Sequence, residues 1–463
     1  MAGRQKSDTI AAVATPPGTG GIGIVRISGP QSLSILRRLF RPHRSREILA
    51  SHVLYYGTIV DGTGSVIDEV LAVFMRAPHT YTREDVVEIH SHGSYLVLNS
   101  ILTEVLRNGA RPAEPGEFTK RAFLAGRIDL TRAEAVVDLL RARTDAGVRL
   151  AVGQLQGEMY RRVEAIRESL VDMLAVLEVA IDFPEDDVEL LDHAHLLGKA
   201  REEVISPLTG LINMADQGKI IRDGISLVIV GLPNVGKSSL LNGLLREERA
   251  LVTSVPGTTR DTIEEYISIH GVPVRLVDTA GIRAHAGSIE EMGIQRARRK
   301  MEEADVVLFM VDAARPLTAE DMELFRSIGR KPRIVVLNKM DIADREAQAA
   351  LEERFAGETV VRISARNLEG LQELQETVFN NIAGGEFAAR ERFSCAPNTR
   401  HRIILEESLA AVRRLEQGLE ENMTADLAAV EVQAALDHLG DIVGLTTPDD
   451  VLDRIFAEFC IGK

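Results

Sequence analysis

Short, nearly continuous apolar runs, each closed by a polar turn, recur through the middle of the chain: Leu227-Val-Ile-Val230, Val274-Arg-Leu-Val277, Ile334-Val-Val-Leu337 and Val360-Val-Arg-Ile363. With a helix-period segment such as Ser239-Leu-Leu-Asn-Gly-Leu-Leu245 between them, they predict an α/β unit with buried strands. The first ~120 residues read differently, as short β-rich runs broken by turns with one or two helices, an α+β pattern. Ile10–Ala14 and Gly23–Ile27 are expected strands, joined by the turn Thr15–Gly21. From Asp129 the period becomes helical, and Thr131-Arg-Ala-Glu134 reads as a capping box before Ala135–Leu140. Long amphipathic helices run to Ile181, where Asp182-Phe-Pro-Glu-Asp-Asp187 breaks the pattern, and further helix leads to Gly224. After Gly384 the chain is helical again, through Arg400–Glu421 and Thr424–Leu439. Helical arms on both sides of an α/β unit predict one all-α domain, discontinuous in sequence, with the α/β unit inserted. The expected boundaries are 1–122, 123–223, 224–384 and 385–463.

The turns that close the apolar runs carry the chemistry. Gly231-Leu-Pro-Asn-Val-Gly-Lys-Ser238 spells G-x-x-x-x-G-K-S between a strand and a helix, the order a P-loop needs. Backbone N–H groups of such a loop and the helix dipole surround a polyphosphate. Lys237 would reach the β/γ-phosphates and the Ser238 hydroxyl would hold Mg²⁺, with Asn234, Val235, Gly236 and Ser239 around them. Asp278-Thr279-Ala280-Gly281 closes the next strand, where a carboxylate serves the Mg²⁺ shell and a glycine N–H senses the γ-phosphate. Asn338-Lys339-Met-Asp341 follows the third run; a carboxylate there accepts two N–H bonds from guanine that adenine cannot supply. Ser364 and Ala365 would close the base pocket. Thr253-Ser254-Val255-Pro256-Gly257-Thr258-Thr259 is a polar segment expected to change shape with the γ-phosphate, Thr259 being the second Mg²⁺ ligand. Each motif alone reads as an ordinary turn, but their order and placement identify a GTP-binding unit.

A Ras-like glutamine is missing after Asp278–Gly281, since Ile282 stands there. Glu290 and Glu291 could reach back to orient water, or form a solvated helix face. Asn234 could hold a monovalent cation that neutralises developing charge as an arginine does. Elsewhere, Gly18, Gly20 and Gly23 spell G-x-G-x-x-G, but a strand pattern follows where a dinucleotide fingerprint needs a helix, so they read as a turn. Glu88, His90 and His92 alternate on one strand face, as a partial metal set or as hydrogen-bonded surface residues. The near-terminal Cys460 reads as a nucleophile or as a small buried residue.

Composition narrows the setting. The chain of 463 residues is 45% hydrophobic and 27% charged, ordinary for a soluble multidomain protein. No stretch approaches the ~18 uncharged apolar residues of a membrane span, and the start lacks the apolar core of a signal peptide. Cys395 and Cys460 are far apart in sequence, so no disulfide framework is implied and a cytoplasmic location is expected. A net charge of −15 argues against a simple coat for nucleic acid.

Ala14-Thr-Pro-Pro-Gly18, Gly23–Gly29, Gly116-Glu-Phe-Thr119, Arg121-Ala-Phe123, Gly257–Asp261 and the terminal Cys460-Ile-Gly-Lys463 together resemble the bacterial and organellar tRNA-modification GTPase family MnmE (TrmE) over essentially the whole length. The resemblance implies an N-terminal dimerisation domain that binds a tetrahydrofolate (5-formyl or 5,10-methylene), a discontinuous helical domain and an inserted G domain. It implies a homodimer that works with the flavoprotein MnmG (GidA) to add a (carboxymethyl)aminomethyl group at C5 of the wobble uridine, position 34, of certain tRNAs. The folate would supply one carbon, and FAD would enter only through the partner. By the same resemblance Asn234, Thr253, Val255 and Thr258 form a K⁺ shell, Glu290 orients water, and Arg26, Glu84, Arg127 and Lys463 contact folate. Arg127 stands where many relatives carry lysine, which alters hydrogen-bond geometry. Folate sites meeting near Cys460 favour its functional reading. The competing readings are a ribosome-assembly GTPase and a regulatory GTPase without modifying activity; the acidic balance and the terminal cysteine motif weigh against the first.

Overall fold

Alternation along the N-terminal strands decides what covers each face of the first sheet. The computed structural model describes residues 8–44, 49–182, 192–247, 265–277, 301–383 and 394–463. Strands β1 (Ile10–Val13), β2 (Gly20–Ser28), β3 (Phe40–Pro42), β4 (Val53–Val60), β5 (Val66–Met75), β6 (Val86–Gly93) and β7 (Arg111–Pro112) form a seven-stranded sheet in the order β3-β4-β5-β6-β2-β1-β7. Helices α1 (Ser32–Leu39) and α2 (Tyr95–Arg107) cover one face, where Val25, Ile27, Phe74 and Ile89 pack against Ile35, Leu36, Ile101 and Val105. On the other face Ile10 and Ala12 meet Phe118 of α3 (Glu117–Leu124). The glycine-rich turn leads into β2 rather than a helix, as its sequence requires.

The first helical stretch comprises α4 (Leu130–Arg141), α5 (Asp145–Leu155), α6 (Glu158–Asp182), α7 (His193–Lys199) and α8 (Ser206–Asp223), with a π-helical turn at Ala200–Ile205 before α8. The α6 stripe Met159, Val163, Ile166, Leu170, Met173 and Leu177 has helix period and is fully buried. Gly224, at φ 72°, ends α8 in a conformation glycine adopts without a Cβ penalty.

The inserted unit contains β8 (Ile225–Val230), α9 (Lys237–Glu247), β9 (Glu265–Ile269), β10 (Val272–Val277), β11 (Val306–Asp312), α10 (Ala319–Ser327), β12 (Arg333–Asn338), α11 (Arg345–Arg354), β13 (Val360–Arg362) and α12 (Leu371–Ala383). Its sheet runs β13-β12-β11-β8-β10-β9, with every pair parallel except β10–β9. Every residue of β8 is buried, which explains its continuous apolar run. Strand β11 adds a buried strand to those expected, and its Val306–Val311 is the same kind of continuous apolar run.

The chain then forms α13 (Thr399–Glu420), α14 (Ala425–Val443) and α15 (Asp449–Ala457). Leu405, Val412, Leu415, Val432 and Leu439 share one core with the α6 stripe and with Val204, Leu208 and Leu211. The helical domain is therefore single and interrupted in sequence.

One expectation fails. The cap of α4 is Asp129, whose carboxylate accepts from the Arg132 N–H at 3.1 Å and from the Thr131 hydroxyl. Helix geometry begins earlier than the Thr131-x-x-Glu134 pattern implied, because aspartate is an equally good N-cap. Glu134, released from capping, instead receives a bidentate Arg400 at 2.8 and 2.9 Å and His401 Nε2 at 2.7 Å. Burial opposes its charge, yet the His401 and Arg400 contacts hold its pKa well below the usual carboxylate range.

His401 Nδ1 accepts the Asn398 N–H at 3.3 Å, so the network assigns the neutral Nε2–H tautomer. Burial pushes the imidazole pKa down despite the Glu134 carboxylate. A folded value below the unfolded one means this stability is present above about pH 6.5 and is lost as pH falls through the folded value. The unfolding midpoint of His401→Gln should therefore fall less than that of wild type between about pH 7.5 and 5.5. Equal falls in thermal denaturation would rule out neutral His401 as a contributor.

Candidate functional site

Strand ends assemble the nucleotide site. Beyond β8 the loop turns through Asn234 and Gly236 at φ 64° and 106° and enters α9 at Lys237. Asn234, Ser238 and Ser239 are exposed at the N-terminus of α9, Val235 is buried beneath them, and Lys237 Nζ donates to the Gly231 and Leu232 carbonyls at 2.7 and 2.8 Å. That lysine sits folded over its own loop, positioned to exchange two carbonyls for phosphate oxygens.

Buried Asn338 ties this loop to the base-side elements. Its Nδ2 donates to the Val235 carbonyl at 2.7 Å and its Oδ1 accepts from the Ala365 N–H at 2.9 Å. Gly236 leaves no room for a Cβ beside that amide. Ser364 Oγ donates to Asp341 Oδ1 at 2.8 Å, and Lys339, at φ 67°, reaches Asp312 Oδ2 at 2.5 Å. Asn234–Ser239, Asn338, Lys339, Asp341, Ser364 and Ala365 thus sit at the same end of the second sheet. Thr253, Ser254, Val255, Pro256, Gly257, Thr258, Thr259, Asp278, Thr279, Ala280, Gly281 and Glu290 lie outside the described residues. The Asp312 link to Lys339 was not anticipated; the polar residue ending the missed β11 run was its only signal.

A second cluster forms where the chain's two ends meet. Gly462, at φ 93°, packs so tightly on the Val13 carbonyl that a Cβ would not fit. Its carbonyl accepts from Arg26 Nη1 at 3.4 Å, and Arg26 Nε reaches Glu88 Oε1 at 2.9 Å. The Cys460 carbonyl accepts from Gly116 and Lys463 N–H at 3.4 and 3.3 Å, while the residue itself is exposed. Glu84 accepts from Ser28 Oγ at 2.7 Å and from Arg121 at 3.1 Å. Arg26 and Ser28 alternate onto one face of β2, so Arg26, Glu84, Cys460 and Lys463 share a neighbourhood. The Arg127 guanidinium lies 4.9 Å from the Tyr81 ring centre, beside a cavity of about 420 Å³, and Tyr81 packs on the cluster of Phe118, whose ring centre is 5.7 Å from the Arg26 guanidinium.

His90 donates to Glu88, and that hydrogen bond with the Arg26 charge holds the Glu88 pKa below the usual range. His92 pairs with Asp68 at 2.8 Å. Both histidines are thus hydrogen-bonded to carboxylates; among the described residues no group of three or more metal-ligating side chains occurs.

Comparison with known proteins matches this chain to one family along nearly its whole length. A model of the MnmE helical domain matches residues 130–460, and one of the TrmE N-terminus, described as that of a GTP-binding protein, matches 9–127. The tRNA modification GTPase MnmE of Desulfotalea psychrophila is 53% identical over 99% of this chain and 98% of its own length. Those of Geobacillus kaustophilus and Thermoanaerobacter pseudethanolicus are 45% and 44% identical, each over 98% of this chain and 99% of their own.

Because the Asp341 carboxylate is aimed by Ser364, base choice should follow its donor and acceptor pattern. Asp341→Asn replaces an acceptor with a donor and should shift preference from guanosine to xanthosine triphosphate by about a hundredfold. Competition of the two nucleotides for the purified variant measures this; an unchanged guanine preference would remove Asp341 from base recognition.

Proposed function

This chain belongs to the MnmE family of tRNA-modification GTPases, and on that premise we propose that it hydrolyses GTP in a K⁺-stimulated cycle that drives modification of wobble uridine in tRNA with a flavoprotein partner of the MnmG type. The observation that carries the reading is the convergence of Lys237, Asn338 and Asp341 on one sheet end, joined by the Asn338 amide. The exposed Ser238 hydroxyl at the α9 N-terminus fits Mg²⁺, with Thr259 as its expected second ligand. The exposed Asn234 amide, held outward by its left-handed backbone, fits K⁺, with Thr253, Val255 and Thr258 completing the shell. When bound, these cations neutralise charge developing on the phosphates. Lys237 binds the β/γ-phosphates, Asp341 orients the guanine, and Glu290 holds the attacking water in place of the absent glutamine.

For the modifying half, Arg26, Glu84 and Lys463 offer a folate both a carboxylate and cationic groups beside the exposed Cys460. Arg127, over Tyr81, completes that set. A bound tetrahydrofolate supplies a one-carbon unit; the chain's own groups bind and orient it and keep Cys460 at hand. FAD would come only from the partner. The outer face of the first sheet supports a homodimer: Tyr56 and Leu71 are cross-strand partners, 50% and 42% exposed, and Leu54 beside them is 52% exposed. No helix among the described residues is long and apolar enough to cross a membrane; the tRNA substrate is the ground for proposing a cytoplasmic site of action.

Two measurements test the proposal. Asn234→Ala should bind GTP normally and lose the acceleration by K⁺ over Na⁺; hydrolysis with unchanged K⁺ preference would remove Asn234 from the ion site. Nucleoside mass spectrometry of bulk tRNA from cells lacking the gene should show loss of C5-aminomethyl-type uridines. Restoration by wild type but not by Cys460→Ser is expected, whereas full restoration by the variant would make Cys460 dispensable.

A further inference from the structure

The loop between α4 and α5 touches two distant parts of the molecule within three residues. On one side Arg141 Nη2 donates to the Glu458 carbonyl at 3.2 Å and Nη1 lies 3.4 Å from its carboxylate, just before Cys460. On the other side the Arg143 guanidinium stands 3.5 Å from the centre of the Tyr266 ring, an aromatic 8% exposed on β9. A second contact reinforces the first: a Cβ on Gly271, in the β9–β10 turn, would lie 3.1 Å from the Ala146 methyl on α5.

Strands β9 and β10 are the hairpin that joins, in sequence, residues 253–261 to Asp278–Gly281. Tyr266 and Arg275 are register partners within it. Any shift of the hairpin therefore reaches Arg143 directly, and Arg143 and Arg141 are separated by a single residue of extended backbone at Ala142 (φ −58°, ψ 130°). Behind the loop, α4 packs on the terminal segment through Leu130, Ala133, Phe456 and Phe459, with Val136 and Val137 further along the helix on the same cluster, so a displacement of α4 bears on the segment that carries Cys460.

We infer that the Arg141–Arg143 loop is a mechanical bridge, carrying the nucleotide state of the inserted unit to the position of Cys460 through the Arg143–Tyr266 and Arg141–Glu458 contacts. The inference rests on reading 253–261 and Asp278–Gly281 as the GTP-sensing segments. Arg143 is a positioning residue in this scheme; it touches neither nucleotide nor tail. A cation over an aromatic face suits such a role, since it resists separation yet tolerates sliding.

The chain's two cysteines supply the assay, because Cys460 is exposed and Cys395 is buried. Iodoacetamide labelling of Cys460 in the full-length protein is followed by peptide mass spectrometry, with GDP or a non-hydrolysable GTP analogue bound, and Cys395 labelling reports unfolding. The wild-type rates are expected to differ between the two nucleotides by about fivefold or more. In Arg143→Ala and Tyr266→Leu the difference should shrink to within about twofold at unchanged analogue affinity, while Tyr266→Phe, which keeps the ring face, preserves it. A nucleotide effect of wild-type size in Arg143→Ala, or none in wild type with analogue bound, overturns the bridge. Failure of wild type to bind the analogue would overturn the GTPase reading and the bridge with it.

Discussion

A domain interrupted in sequence can close only if the chain's point of return is fixed against its point of departure. Here that constraint falls on the backbone at Ala396 and Pro397. Arg222, at the end of α8, donates to both carbonyls at 3.0 and 2.5 Å, and Gln154 of α5 donates to the first at 2.7 Å. Gly153 and Gly218 let this segment lie directly on the helices; a Cβ at either would collide with Ser394 or Ala396. Just beyond, Arg400 and His401 lock onto Glu134. These contacts bring both crossings of the inserted unit to one place, so the loop-closure cost of the insertion is met by a few buried hydrogen bonds.

With its ends clamped, the inserted unit is free to be an independent sheet whose strand ends build a site. The P-loop and the base-recognition turn are more than a hundred residues apart, and local turn geometry alone would not hold them in register. Asn338 does so by spending both ends of one amide, on Val235 and on Ala365. Asn338 therefore acts as a structural tie, which explains why it is buried while Asp341 beside it is exposed. The loop at Val235 and the turn at Ala365 are thereby mechanically one object.

Much of this was legible from the residues. Continuous apolar runs marked the parallel strands because a strand covered on both faces has no polar side to show, and the helical stripes of α6 and α13 showed the 3.6 period plainly. The turns between strands carried chemistry whose residue types leave few alternatives. What escaped was non-local. The Thr131-x-x-Glu134 pattern looked like a cap because capping boxes are local; its glutamate is claimed by Arg400 and His401, far along the chain, which no window could reveal. The same holds for Arg143 and Tyr266, and for Arg127, whose charge was visible but whose place over Tyr81 depends on tertiary packing.

The terminal segment shows how a short tail acquires precision without a core of its own. Phe456 and Phe459 anchor it against Leu130 and Ala133, and beyond them main-chain groups of Cys460, Gly462 and Lys463 make hydrogen bonds. The Cys460 carbonyl is committed twice, to Gly116 and Lys463, and Gly462 is pressed onto β1 where no other residue fits. The main chain is thereby fixed while the Cys460 side chain, alone in that stretch in carrying a thiol, stays exposed. The reactive role proposed for Cys460 requires this division, a rigid frame and an exposed functional group. A cysteine kept only for packing would show the reverse, as Cys395 does: buried in the helical core, its thiol pKa pushed up by desolvation.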